Sequence, residues 1–107
     1  MMRGTVVWVD LSDASPPEMG KKRPAIIVSN STQNQFLDSM VAVPLSSREP
    51  EIPPLRLRVD IVGLITSFAI MPGLRQVKKS RILGTIGKVK NGELAELDEA
   101  IRLYLGD

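Results

Sequence analysis

Gly20-Lys21-Lys22-Arg23-Pro24 leads straight into the apolar run Ala25-Ile26-Ile27-Val28. Proline locks its own φ and biases the residue before it towards extended backbone. The β-branched run that follows reads as a buried strand. Arg23 is therefore expected at the mouth of a rigid core strand, a placement that pre-organises a guanidinium for an anion. Lys21 and Lys22 stand beside it as further cations. A second basic group, Arg75, Lys78, Lys79 and Arg81, brings four positive charges into seven residues. On a groove wall such a set holds backbone phosphates, and binding through it weakens with salt. Arg81 has the alternative of pinning the turn before the last strand.

The chain has no histidine and no cysteine. That removes the usual general base near neutral pH, the commonest transition-metal ligand, thiolate chemistry and any disulfide framework. Catalysis, if present, falls to Arg, Lys, Ser/Thr, Asp/Glu or Tyr104. With one tryptophan, one tyrosine and two phenylalanines, an aromatic stacking platform is not expected. Trp8 is assigned instead to the core or to a dimer interface. Gly84 and Gly87 read as bulges or points of close packing, not as a phosphate cradle. A net charge of +2 with a pI of about 9.2 favours an anionic partner.

These side chains need a scaffold, and the pattern around them supplies one. At 107 residues a single domain, 1–107, is expected, with little surplus stability and a benefit from dimerisation. Strands are predicted over 5–11, 24–29, 40–45, 55–59, 67–71 and 82–89. In 55–59 apolar and basic residues alternate, so that strand should be half-exposed with a cationic outer face. The segment 12–22, with Pro16, Pro17 and Gly20, is a long loop of the kind that often carries function. Residues 30–38 are polar and turn-like, with room for one short helical turn. Leu94, Leu97, Ile101 and Leu105 recur at helical spacing, with Asn91 as N-cap, Glu93 in the first turn and Gly106 past the end. Short strands plus one terminal helix predict a mainly β fold, a small antiparallel barrel. No apolar run approaches the ~18 residues of a membrane span and no signal pattern opens the chain, so no membrane association and a cytoplasmic location are expected.

The ordered set of motifs resembles a known family. Arg3-Gly4-Thr5-Val6-Val7-Trp8-Val9-Asp10-Leu11 is similar to its first strand. Glu18 followed five residues later by Arg23-Pro24 is similar to its loop and signature, and Val43-Pro44-Leu45-Ser46-Ser47-Arg48 to the end of its third strand. Lys78-Lys79-Ser80-Arg81-Ile82, with Ile86-Gly87-Lys88-Val89, resembles its late basic motif and closing strand. The family is the MazF/PemK/Kid toxins of bacterial type II toxin–antitoxin systems, and the resemblance spans nearly the whole chain in order. It implies an SH3-like barrel of the CcdB/Kid/MazF type, a homodimer, and endoribonuclease activity on single-stranded RNA, mRNA or tRNA, with no metal or other cofactor. It also implies a cognate MazE-like antitoxin that covers the RNA groove, and a bacterial cytoplasmic setting.

Roles follow from the resemblance residue by residue. Arg23 would stabilise charge on a phosphate attacked by its own 2′-hydroxyl, for which two parallel guanidinium donors suit. Ser46 would hold a non-bridging phosphate oxygen, its alternative being a strand-end serine that satisfies its own turn. Glu18 would accept the proton, close the loop over the groove or read a base. Lys21, Lys22, Ser47, Arg48, Arg75, Lys78, Lys79 and Arg81 would contact RNA. The chain departs from the pattern at Pro72-Gly73, where many members carry Asp-Gln, and at Ile70, where some carry arginine. A mechanism built on that Arg/Asp pair is thus unavailable, leaving Arg23 and Ser46 with Glu18. The competing expectation is a catalytically impaired homologue or a CcdB-like binder that acts without cleaving RNA.

Overall fold

The structure is a computed structural model and describes residues 1–12 and 21–106. Its strands are β1 (Thr5–Asp10), β2 (Lys22–Ile27), β3 (Ser39–Ser46), β4 (Arg56–Val59), β5 (Ser67–Ile70), β6 (Arg75–Lys78) and β7 (Ile82–Lys88). Two α-helices, α1 (Ser31–Phe36) and α2 (Asn91–Leu105), and two 3-10 turns, Met71–Gly73 and Lys79–Arg81, complete the described elements. The fold is mainly β, antiparallel throughout, with a C-terminal helix. Hydrogen-bonded neighbours run β4-β5-β3-β2-β1-β7, and β6 also pairs β3. Seven strands fit within nearly equal extents of 32 × 31 × 29 Å. The sheet is barrel-like, and no ladder joins its end strands β4 and β7.

The six predicted strands are present, and β6 is one that the periodicity missed. Arg-Gln-Val-Lys shows a single apolar residue, Val77, which is buried at 3% exposure. Its strand form comes from the ladder with β3, Ser39↔Lys78 to Ala42↔Arg75, not from local propensity. β4 reads as expected, with Leu57 and Val59 inward and Arg56 and Arg58 towards solvent. The β-branched strands bury both faces. Val6, Ile26, Val43, Leu45 and Leu57 join one core cluster with Leu97 and Ala100 of α2. Val7, Val9, Ala25, Ile27, Ala42 and Val77 form a second cluster on the opposite face.

Two helix details differ from expectation. The N-cap of α2 is Lys90, with no side-chain cap bond, and Asn91 is already helical. Glu93 is turned to another use, its Oε2 accepting the Asp60 N–H at 2.8 Å. Leu94, Leu97 and Ile101 face the core as their spacing predicts, but Leu105 is 65% exposed because the helix outruns the sheet. At the other end, α1 is a six-residue helix capped by Asn30, whose Oδ1 accepts from Thr32 N–H and Gln33 N–H. Among the described residues no helix is long and apolar enough to cross a membrane.

β7 follows β1 with two register shifts, between Val6 and Val7 and between Trp8 and Val9. The extra residues fall beside Gly84 and Gly87, so those glycines mark bulges. Close packing is not their role, since a Cβ at either would meet nothing within 4 Å. Of the two expectations for Trp8, core and dimer interface, the core placement does not hold within one chain. Trp8 is 41% exposed while Val7 and Val9 beside it are fully buried.

Candidate functional site

The ladder between β2 and β3 ends at Ala25↔Pro44. The next rung would need an N–H from Pro24, which has none, so the ladder cannot extend. Continued two residues further, that register would set Arg23 opposite Ser46. The strands instead part, and a cleft of about 240 Å³ opens between them. Its lining includes Lys22, Arg23, Ser46, Ser47, Trp8 and Leu64. Arg23 and Ser46, 23 positions apart in sequence, thus meet at one cleft because the β2–β3 ladder stops at Pro24.

Ser46 satisfies its own turn, with its Oγ accepting the Arg48 N–H at 3.2 Å. Its hydroxyl proton is not committed by that bond. Arg48 contributes its backbone here, since its carbonyl also accepts from Arg56 Nη1 at 3.0 Å. Its side chain lines neither this cleft nor the next. Arg56 and Arg48 thereby brace the segment that carries Ser46 and Ser47.

A second cleft, of about 470 Å³, lies at the start of β3 and along β6. Arg75, Lys78 and Arg81 line it together with Asp10, Asp38 and Gln76. The guanidinium of Arg75 is steered by its Nε donating to the Gln76 carbonyl at 3.2 Å, and Gln76 Nε2 donates to Ser39 Oγ at 2.6 Å. Lys79 opens the 3-10 turn, its N–H donating to the Asp38 carbonyl at 2.8 Å, and lines neither cleft. Lys21 is exposed at a positive φ of 68° and lines neither cleft. Glu18 lies outside the described residues, as do 13–20 of the predicted loop. Pro72 and Gly73 form the turn between β5 and β6 and also line neither cleft.

Asp10 joins the two clefts, and reasoning from sequence overlooked it. It ends β1 opposite Lys22 and lines the second cleft beside Arg81. Its carboxyl is held below the ordinary 3.8, first by the hydrogen bond from the Ser12 hydroxyl. The Ser12 N–H, 2.9 Å from Oδ1, adds to this, as do the charges of Arg81 and Lys22. A carboxylate therefore sits fixed among cations. Its only sequence signal is a strand-end aspartate followed by Ser12. Trp8 and Leu64 carry no sequence signal of a cleft, since an apolar side chain reads as core or interface from composition alone.

The arrangement can grip an anionic chain. The first cleft offers a guanidinium, an ammonium and the hydroxyls of Ser46, Ser47 and Ser67; the second adds three more cations. Among the described residues no group of three or more Asp or Glu side chains is placed to hold a metal ion.

A family model described as "PemK-like, MazF-like toxin of type II toxin-antitoxin system" matches residues 2–105. Endoribonuclease MazF9 of Mycobacterium tuberculosis (strain ATCC 25618 / H37Rv) is 34% identical, over 98% of this chain and 96% of that protein. The crystal structure of MazF (Form-I) from Deinococcus radiodurans superposes with a TM-score of 0.87 at 22% identity, covering 100% of this chain and 97% of that one. An endoribonuclease in complex with its cognate antitoxin, from a mycobacterial species, gives 0.83 at 23% identity, over 99% and 95% of the two chains. At that identity the two structures speak for the fold.

Proposed function

The chain belongs to the PemK-like, MazF-like toxins of type II toxin–antitoxin systems, and on that footing we propose that it is the toxin of such a pair, a sequence-specific endoribonuclease that cuts single-stranded RNA without a metal ion. The observation that carries the reading is the meeting of Arg23 and Ser46 at the parted ends of β2 and β3. Cleavage by an internal 2′-hydroxyl forms a 2′-oxygen–phosphorus bond and breaks the bond to the 5′-oxygen. The 2′ proton leaves to a base and the 5′-oxygen gains one. Arg23 forks onto the phosphate oxygens and carries the charge that builds on them. Ser46 turns its hydroxyl to a non-bridging oxygen while its lone pair stays with the Arg48 N–H. Glu18 is assigned as proton acceptor from its match to the family's acidic position; a carboxylate is a weak base at neutral pH and gains strength when bound RNA desolvates it.

Lys22, Ser47, Arg75, Lys78 and Arg81 extend the contact along the strand, and a homodimer joins two such tracks into one groove. An acidic antitoxin segment competes for the same cations. Pro72 and Gly73, where the family pattern is broken, line neither cleft, so Arg23, Ser46 and the other lining cations are in place without them. The deciding experiment is digestion of labelled RNA in EDTA with analysis of the ends. Fragments with 2′,3′-cyclic phosphate and 5′-hydroxyl ends are expected. Arg23→Ala should lower the rate by about 10²–10³, the scale of losing one transition-state donor. Arg23→Lys should recover little, because an ammonium cannot fork. Ser46→Ala should fall in between. Unchanged cutting by Arg23→Ala overturns the assignment.

A further inference from the structure

Trp8 is the chain's single tryptophan, and the cleft it lines also holds Lys22, Arg23 and Ser46. We infer that the Trp8 indole is a stacking floor for one nucleobase of the RNA, the base adjoining the phosphate held by Arg23. The inference rests on the RNA-cleaving reading above and deepens it by naming where a base sits.

Sheet alternation divides the cleft chemically. Arg23 stands opposite Val9, so its side chain leaves on the face of the second core cluster, and the extended register sets Ser46 on that face too. Trp8 stands opposite Pro24 and leaves on the other face, with Leu45 and Leu64 of the first cluster. Only the parting of β2 from β3 lets both faces line one opening. One lip therefore offers the Arg23 guanidinium and the Ser46 hydroxyl, and the other an indole with aliphatic neighbours. A nucleotide has the same division, an anionic phosphate and a flat π-face.

The indole is also left uncovered by its own sheet. Its neighbour across β7 is Gly84, and a Cβ there would meet nothing within 4 Å. Pro24 abuts it from β2, and no large side chain lies across it from either strand. A tryptophan 41% exposed between two fully buried valines has unspent apolar surface directed at the cleft. The cleft, at about 240 Å³, is smaller than the ~300–1,000 Å³ of drug-sized ligand sites, which suits one base and excludes a duplex. Stacking on a single aromatic ring is tolerant of base identity, so this floor positions the strand, and base choice is made elsewhere.

The single tryptophan makes the test direct. The probe is a single-stranded 12-mer library of randomised sequence with methylated 2′-hydroxyls, which cannot be cut. It is titrated into the full chain while indole emission and probe anisotropy are read together. Saturating quenching is expected, with binding weakened roughly tenfold in Trp8→Ala and largely restored in Trp8→Phe, as loss and return of one stacked base require. An abasic 12-mer of equal charge should bind more weakly and leave the emission unchanged. Circular dichroism on both variants separates a stacking loss from misfolding. Binding without quenching, or equal quenching by the abasic strand, overturns the stacking floor alone. Free protein whose indole is shielded from acrylamide also overturns it, because a second copy would then cover Trp8. No binding of either probe by anisotropy overturns the RNA reading itself and the floor with it.

Discussion

Asp10 is the residue whose role is least expected and most open to measurement. Its carboxylate lies between Lys22 and Arg81 and is held by Ser12, so it offsets part of the positive field that RNA would meet. Asp10→Asn keeps an acceptor for the Ser12 N–H and removes the charge. RNA should then bind a few-fold more tightly in low salt, with the gain shrinking as salt screens it. Fluorescence anisotropy at two ionic strengths checks this, and weaker binding would mean that Asp10 itself touches the RNA. The acid side is fixed in sign. A carboxyl with a lowered folded pKa contributes stability above its ordinary value of 3.8 and loses it as pH falls through the lower folded value. Melts of the wild type and Asp10→Asn should therefore run parallel from pH 5 to 9 and converge only below about pH 4. Because Asp10 is only half-buried and solvent screens its charge, the convergence will be small.

At the scale of elements, the site depends on bracing far from it. Asn34 of α1 is 1% exposed and fully hydrogen-bonded. Its Nδ2 donates to the carbonyls of Met1 and Ser29, each at 3.0 Å, and its Oδ1 accepts from Ser29 Oγ at 2.6 Å. Ser29 Oγ in turn accepts the Val41 N–H at 3.0 Å, which ties the end of β2 to β3. Arg3 fastens the same end of β2 to α2. Its Nε donates to the Val28 carbonyl at 2.8 Å and its Nη atoms pair with Asp98 of α2. Asn34→Ala leaves three part-buried hydrogen-bond partners unmet and should cost about 2 kcal/mol. That corresponds to a fall of roughly 10 °C in the melting midpoint. Activity per folded molecule should be unchanged, since nothing at either cleft touches Asn34. The composition of 30–38 announced a polar turn, but not a buried polar anchor, because burial depends on what packs over it.

For the whole molecule, the two clefts set a single electrostatic expectation. A strand that follows both meets Lys22, Arg23, Arg75, Lys78 and Arg81. Each phosphate neutralised on a single strand contributes about −0.7 to the slope of log K against log salt, so the slope per protomer should be no steeper than about −3.5. Lys78→Ala should flatten it by about 0.7, whereas Lys79→Ala, outside both clefts, should leave it alone. A slope twice as steep at matched protomer concentration would show one strand engaging both halves of a dimer. Antitoxin binding should follow the same salt trend if its acidic segment uses these cations.

Strand positions were legible in the β-branched runs of β1, β2 and β3, and α2 in its leucine spacing, because periodicity reports directly which face meets the core. The Arg23-Pro24 pair was legible too, since proline restricts backbone wherever it occurs. The resemblance to the toxin family was equally present in the order of short motifs. What folding alone decided is which residues meet. β6 exists because β3 offers an edge, not because Arg-Gln-Val-Lys favours a strand. Trp8 is a cleft residue because Gly84 and the parted strands leave it bare, although its neighbours in sequence are fully buried. Arg23 and Ser46 share an opening because Pro24 stops the ladder between β2 and β3 one rung past Ala25↔Pro44. Local chemistry determines what each segment can become; long-range pairing, which no short window of sequence contains, determines where its side chains are brought together.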